Sequence, residues 1–483
     1  MPKRPIRVHR PTAATAVRQS AALEARFEAI RRELKVPESF PADVLAEAER
    51  TAASPDDPPT VDATDVAFVT IDPPGSMDLD QALHLEREGD GYRVRYAIAD
   101  VPAFVVAGRV VDAEARRRGQ TVYAPDRRTP LHPEVISEGA ASLLPGQRRP
   151  AFVWDLRLAA DGSTTHASVS RAMVASTARL DYVGVQTAID GGTADEVLLL
   201  LREVGDKRIS LERARGGASL PMPEQEVAED DQGHYRLSFR PPVAAEDWNA
   251  QISLMTGMAA ADLMIGAKVG ILRTLPAPDH DAIGRFRHAS RALGVDWPEA
   301  MGYGEFLRGL DRTKPTHLAL IHEATALFRG AGYTPFDGAV PGQREHAAVA
   351  APYAHVTAPL RRLVDRFGLA VCEAVSAGRP VPLWTVEALA TLPGIMAESD
   401  RLAGGVERAC ADAVEAASLE DRVGQVFDAM VVEHRDKGAA LIQVPDPAVL
   451  AHAEGPGELG TWVRARLVEA TVATGTVRFE LVG

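Results

Sequence analysis

Val66-Ala67-Phe68-Val69-Thr70-Ile71-Asp72-Pro73-Pro74-Gly75-Ser76-Met77-Asp78-Leu79-Asp80-Gln81 sets an apolar run against three closely spaced aspartates. Val66 to Ile71 is short and rich in β-branched residues, the composition of a buried strand. Asp72 falls at its end, and Pro73-Pro74-Gly75 bars regular structure and turns the chain sharply. That turn can return Asp78 and Asp80 to the side of Asp72. Carboxylates held close repel one another, so ionising all of them needs compensation. A divalent cation supplies it, and magnesium in particular takes a few carboxylates and completes its shell with water and phosphate oxygens.

Other readings of the same residues stay open. An aspartate-rich turn that only caps backbone groups accounts for the cluster without an ion. A calcium EF-hand needs Gly at its sixth position and Glu at its twelfth; counted from Asp72 these are Met77 and Leu83, which excludes it. Asp78-Leu79-Asp80 also matches the DxD of aspartyl phosphatases and glycosyltransferases. In the phosphatases, however, the strand runs straight into the first Asp of the pair, and here it runs into Asp72.

The stretch Thr70 to Ala82 resembles the catalytic signature of the ribonuclease II and ribonuclease R (RNB) exoribonucleases. The resemblance places Asp72, Asp78 and Asp80 on the first three of that family's four acidic positions, with Gln81 where the fourth aspartate usually sits. It implies that Asp72, Asp78, Asp80 and Gln81 surround Mg2+, or Mn2+, and that Asp80 orients the metal and the attacking water. An amide carbonyl can ligate magnesium but brings no negative charge, so this site is expected to need more Mg2+ or to prefer Mn2+.

Two further islands carry the resemblance. Gln120-Thr121-Val122-Tyr123-Ala124-Pro125 supplies a tyrosine that in the family lies on the terminal nucleotide; an aromatic ring offers roughly 1–3 kcal/mol of stacking to any base. A half-buried packing residue is the alternative for Tyr123. Tyr353-Ala354-His355-Val356-Thr357-Ala358-Pro359-Leu360-Arg361-Arg362-Leu363-Val364-Asp365-Arg366 reads as a helix start. Thr357 is its expected cap and Pro359 lies in its first turn. Free N–H groups there make an anion site, and Arg361 and Arg362 add guanidinium forks for phosphate. The resemblance assigns Arg361 to the scissile phosphate; surface salt bridges are the alternative, above all for Arg362 and Arg366. Glu407 matches a family position near the RNA end, and Gln251 fills a slot that is acidic in relatives.

Working outward, 483 residues leave room for two to four domains, and 46% hydrophobic residues suffice for a core. No run of eighteen apolar residues occurs, so no membrane span is expected. The basic start Met1 to Arg7 lacks the apolar run of a secretory signal. Cys372 and Cys410 have no metal-ligand spacing and read as core thiols of a reduced, cytoplasmic protein. The net charge of −14 argues against a non-specific nucleic-acid coat protein. It leaves room for an enzyme with a local basic channel, because surface charge is screened beyond about 8–10 Å.

The expected fold class is α+β in three parts. Residues 1–60 are helical, with Leu23, Phe27, Ile30 and Leu34 on one face and a second helix from Ala42. Lys3, Arg4, Arg7, Arg10 and Arg18 make this segment basic, so it reads as a helix-turn-helix-like RNA-binding piece or a packing element. It stands where relatives carry cold-shock barrels. Residues 61–418 form a large mixed catalytic domain, with a hairpin at Leu83–Glu88 and Tyr92–Ile98, a strand at Phe152–Leu158, and helices at Ile252–Val269, Asp281–Leu293 and Val364–Ala377. Residues 419–483 suit an OB-type barrel whose available aromatics are Phe427, Trp462 and Phe479.

The function implied by the resemblance is a processive 3′-to-5′ exoribonuclease that hydrolyses single-stranded RNA to 5′-nucleoside monophosphates, as a monomer. Two alternatives remain: an RNA-binding protein with a degenerate site, and a DxD phosphohydrolase acting on small substrates.

Overall fold

Two closed five-stranded barrels, with helices packed between and around them, organise the computed structural model, which describes residues 6–8, 20–220, 222, 224–229, 235–240, 242–434 and 439–482. The first barrel runs Phe68–Ile71, Gln81–Glu88, Gly91–Ala99, Arg148–Leu158 and Thr164–Leu180. It closes where Phe68–Ile71 pairs in parallel with the end of Thr164–Leu180. The expected hairpin is present, with Gln81 opposite Ile98 and Glu88 opposite Gly91.

Closure into a barrel was not expected, and burial explains why. Val69, Ile71, Leu83, Tyr96, Ile98 and Trp154 join the core beneath the helices. Their neighbours Phe68, Ala82, Ala97, Ala151 and Val153 fill a second buried cluster with Leu79. With both faces apolar, the period-two alternation that marks a half-exposed strand is lost.

The helix Ala244–Ala267 lies at the centre of the helical layer, against Glu196–Arg215 and Leu363–Ser376. By length and composition alone it is apolar enough to cross a bilayer, but half of its apolar window is buried in the protein's own core. Its Gly257 carbonyl accepts the Ala354 N–H at 3.0 Å, so the helix backbone touches the segment that leads to Arg361. A Cβ at Gly257 would lie 2.2 Å from the Tyr353 ring and 2.6 Å from the Ala354 carbonyl oxygen.

At the start of the chain, helices span Ser20–Glu33 and Ala42–Ala53. Leu23, Phe27 and Ile30 are buried against Val122, Ala124 and the helix Leu392–Leu419. Leu34, expected on the same face, is exposed because the helix has ended at Glu33 and Lys35 has turned to positive φ. Residues Ile6–Val8 are not helical but form a short strand parallel to Glu224–Glu229. Lys3, Arg4, Arg10 and Arg18 lie outside the described residues.

The second barrel contains Val426–His434, Ala439–Val444, Val449–Glu454, Trp462–Thr471 and Thr476–Val482, as expected for an OB-type barrel. Phe427 and Phe479 meet edge to face in its core at 5.8 Å, so neither is available to stack on a base. Trp462, 52% exposed, is the aromatic of the three that faces outward.

Gly257→Ala should destabilise the protein by about 1–3 kcal/mol through overpacking, read as a lowered midpoint in thermal or urea unfolding. Gly284→Ala, on an exposed helix face with open space around the new methyl, should raise stability by roughly 0.5–1 kcal/mol.

Candidate active site

Local hydrogen bonds fix the aspartate loop at both ends. The Asp72 N–H donates to the Leu180 carbonyl at 3.1 Å, where the barrel closes. Gly75 takes the positive φ that the turn requires. Leu79 is buried, and its N–H donates to Ser142 Oγ at 3.0 Å while that hydroxyl donates to the Met77 carbonyl at 2.6 Å. Asp80 thus enters the strand Gln81–Glu88 from a pinned loop, with its carbonyl accepting the Ala99 N–H.

Asp80 is 4% exposed and is met from far along the chain. The Leu360 N–H donates to its Oδ1 at 2.7 Å, and Arg361 Nε lies 3.6 Å from its Oδ2. Burial nevertheless holds its carboxyl well above the usual carboxylate range, against the pull of Arg361 and the Leu360 N–H. Asp72 is pushed up to about 7 by burial and then by Asp78, with Arg361 and Arg179 acting the other way. Its Oδ2 is buried without a hydrogen-bond partner.

Asp78 points to another cation. Its Oδ1 accepts from Arg128 Nη1 at 2.6 Å, and the Tyr123 hydroxyl lies 3.4 Å from its Oδ2. Arg128 also pairs with Glu138. Gln81 is engaged at both ends: Oε1 accepts from the Tyr96 hydroxyl at 2.6 Å and Nε2 donates to the Thr357 carbonyl at 2.6 Å.

These contacts change the expected cradle. Among the described residues, no group of three or more His, Cys, Asp or Glu side chains converges to hold a metal ion. Asp78 is drawn to Arg128, and the Gln81 oxygen, an expected metal ligand, already has a donor. Asp72 and Asp80 remain, one with an orphaned buried oxygen and both with a carboxyl pKa that burial raises. Two carboxylates suit a magnesium ion that keeps water and phosphate oxygens as its other ligands.

Arg361 has a side chain 49% exposed beside the acids, and its carbonyl accepts the Thr121 N–H at 2.9 Å, which ties it to the strand Val122–Tyr123. Tyr123 is 46% exposed. Arg362 gives both faces of its fork to buried Asp365, with Nη2 at 2.7 Å from Oδ1. The expected helix start is displaced for the same reason. The Asp365 carboxylate accepts the Ala358 N–H at 2.8 Å, and the helix begins only at Leu363. Thr357 is therefore not a cap; its hydroxyl pairs with Ser253 at 2.8 Å. Arg366 is no surface residue but is buried on Asp112 at 2.5 Å and the Val105 carbonyl at 2.8 Å.

Glu407 is half-buried on the helix Leu392–Leu419, which packs against the strand of Tyr123. Gln251 donates to Glu212 at 2.6 Å. Sequence reasoning missed Arg128, Tyr96 and Arg179. Nothing local distinguishes them, because each meets the loop only through tertiary structure.

A family model described as "RNB domain" matches residues 60–369, and one described as "RNase II-type exonuclease C-terminal S1 domain" matches residues 425–482. Ribonuclease R of Escherichia coli (strain K12) is 30% identical over 323 residues, which are 63% of this chain and 39% of that protein. The chain thus spans well under half the length of that curated relative. Among solved structures, Mycoplasma genitalium RNase R in complex with ribose methylated single-stranded RNA superposes with a TM-score of 0.84 at 17% identity, over 96% of this chain and 78% of that one. Yeast Ssd1, described as a pseudonuclease, gives a TM-score of 0.71 at 17% identity, over 89% and 56%.

Arg128→Met leaves Asp78 and Glu138 facing one another. It should lower stability by about 1–3 kcal/mol in urea unfolding, and Glu138→Gln in the same chain should restore much of that loss. Independent, additive effects would show that Arg128 does not hold the two acids together.

Proposed function

The chain belongs to the RNB family, and we propose that it is a metal-dependent exoribonuclease that trims single-stranded RNA from its 3′ end and releases 5′-nucleoside monophosphates. One observation carries the reading: Arg361 lies 3.6 Å from Asp80 although 280 residues separate Leu360 from Asp80 in sequence. A phosphate placed at Arg361 would sit against the acids, with the exposed Tyr123 ring beside it for the terminal base.

In the proposed reaction, water attacks the last phosphodiester phosphorus and the 3′-oxygen of the penultimate nucleotide leaves with a proton. The terminal nucleotide departs as a 5′-monophosphate. Arg361 binds the scissile phosphate and offsets the charge that builds on its oxygens. Asp80, held rigidly by the Leu360 N–H, orients the attacking water. Asp72 and Asp80 are the residues that would hold Mg2+ or Mn2+. When bound, such an ion supplies Lewis-acid polarisation of the phosphoryl group and lowers the pKa of water. Glu407 is assigned to the RNA end, and Arg362 to holding the Arg361 loop through Asp365. Catalysis is assigned to residues 61–418 and grip on the outgoing strand to residues 419–483, through Trp462. Processive movement of a monomer completes the proposal.

A second reading, an RNA-binding protein without turnover, draws on the engagement of Asp78 and Gln81 by protein groups. Single-stranded RNA labelled at either end separates the two. With Mg2+, 3′-labelled RNA should yield labelled mononucleotide at once, and 5′-labelled RNA should shorten to a small terminal fragment. Bound but intact RNA would favour the second reading.

Asp80→Asn should abolish turnover while RNA affinity, measured by fluorescence anisotropy, survives. Arg361→Ala should lower kcat by about 10²–10³-fold. An active Asp80→Asn enzyme would remove Asp80 from the chemistry.

A further inference from the structure

Gln81 is the residue at which this chain departs from the acidic pattern, and its surroundings define what it does. Its side chain has one acceptor and one donor end, and each meets its complement at 2.6 Å. The acceptor end faces the Tyr96 hydroxyl. Tyr96 stands opposite Leu83 in the neighbouring strand, one pleat along from the Gln81–Ile98 pair, so the two side chains share a face of the barrel. Tyr96 is fully buried, and a buried phenol needs an acceptor. The donor end reaches the Thr357 carbonyl, which belongs to the loop that carries Arg361.

That loop is gripped by two successive residues of one strand start. Asp80 accepts the Leu360 N–H, and Gln81 donates to the Thr357 carbonyl. Thr357 is buried, and its hydroxyl is held by Ser253 on the central helix. Arg361 comes four residues later, directly after Leu360, and its Nε stands 3.6 Å from Asp80.

We propose that Gln81 is a positioning residue that clamps the Arg361 loop to the aspartate strand and takes no part in binding a cation. A carboxylate cannot replace it. Glu has the same reach but only acceptor oxygens, so one of them would face the Thr357 carbonyl at hydrogen-bond distance without a proton between them. Asp is one methylene shorter and cannot span from Tyr96 to Thr357. The inference rests on the catalytic reading of Asp80 and Arg361 given above.

The test compares wild type with Gln81→Glu, Gln81→Asp and Tyr96→Phe in the full chain. Mn2+ binding to the metal-free protein is followed by titration calorimetry, and kcat and KM are measured on single-stranded RNA at saturating metal. Mn2+ affinity should stay within about twofold in all variants. In Gln81→Glu, kcat should fall at least tenfold with little change in KM. Arg361→Ala should cost much less in the Gln81→Glu background than in wild type, because the guanidinium is already out of place; a merely structural loss of stability would leave the two effects multiplicative. Tyr96→Phe, which keeps the ring, should lower kcat in the same direction and serves if Gln81→Glu does not fold. Mn2+ binding tightened tenfold or more by Gln81→Glu or Gln81→Asp would overturn the proposal and make position 81 a ligand site. Unchanged kcat in Gln81→Glu and Tyr96→Phe would overturn the positioning role. Should wild type release no nucleotide, the catalytic reading fails instead, and the calorimetry alone still decides whether position 81 binds metal.

Discussion

A buried carboxylate met by a backbone N–H and a guanidinium from a distant loop is the constraint on which this molecule depends. Asp80 is nearly out of contact with water, and an unpaired charge there would cost several kcal/mol. The Leu360 N–H and Arg361 offset part of that cost. They do so only while the loop after Thr357 lies against the start of the strand Gln81–Glu88. Burial of one acid therefore forces two segments, remote in sequence, into register, and the same contact brings a half-exposed guanidinium to the acids. Stability of the fold and geometry of the site are one requirement.

The remaining contacts form successive supports around that point. Arg362 and Asp365 shape the loop from behind, and Tyr333 contributes a hydroxyl to His355 at 2.8 Å in the layer beyond. On the other side, the Thr121 N–H joins the Arg361 carbonyl to the strand of Tyr123. That strand and its surroundings are braced by the helix Ser20–Glu33 and by the loop between it and Ala42–Ala53. Arg31 pairs with Asp126 at 2.8 Å, Arg127 with Glu38 at 2.7 Å, and Arg118 stacks 3.7 Å from the Phe40 ring while donating to the Ser39 carbonyl. The segment read as either an RNA-binding piece or a packing element thus packs, with its apolar face, against the wall that holds Tyr123.

What could be read in advance follows how local each signal is. The strand, the Pro-Pro-Gly turn and the acid spacing lie within sixteen residues, Val66 to Gln81, and were legible. The hairpin was legible from its Gly89-Asp90-Gly91 turn, and the helices Ala244–Ala267, His280–Ala292 and Leu363–Ser376 from their apolar spacing, whereas the long helices Glu196–Arg215 and Leu392–Leu419 were not delimited. Barrel closure was not, because two-sided burial removes the alternation and Thr164–Leu180 is rich in Ser, Thr and Ala. The helix start was misplaced because Thr357 and Pro359 form a good local pattern, but Asp365 captures the Ala358 N–H and defers the first turn to Leu363. Partners such as Arg128 for Asp78, or Tyr96 and Thr357 for Gln81, are invisible without the fold. The aromatics Phe427 and Phe479 could not be told from Trp462, since core and surface positions of a small barrel use the same residue types.

The docking of Ser20–Glu33 on Leu392–Leu419 also bears on biosynthesis. The first helix leaves the ribosome long before its partner is translated. At about 5–20 residues per second, Leu23, Phe27 and Ile30 wait on the order of tens of seconds for the part of their cover that Leu392–Leu419 supplies. Val122 and Ala124 emerge early and shield part of that apolar stripe, but the rest stays open to other apolar surfaces until Leu392–Leu419 is made.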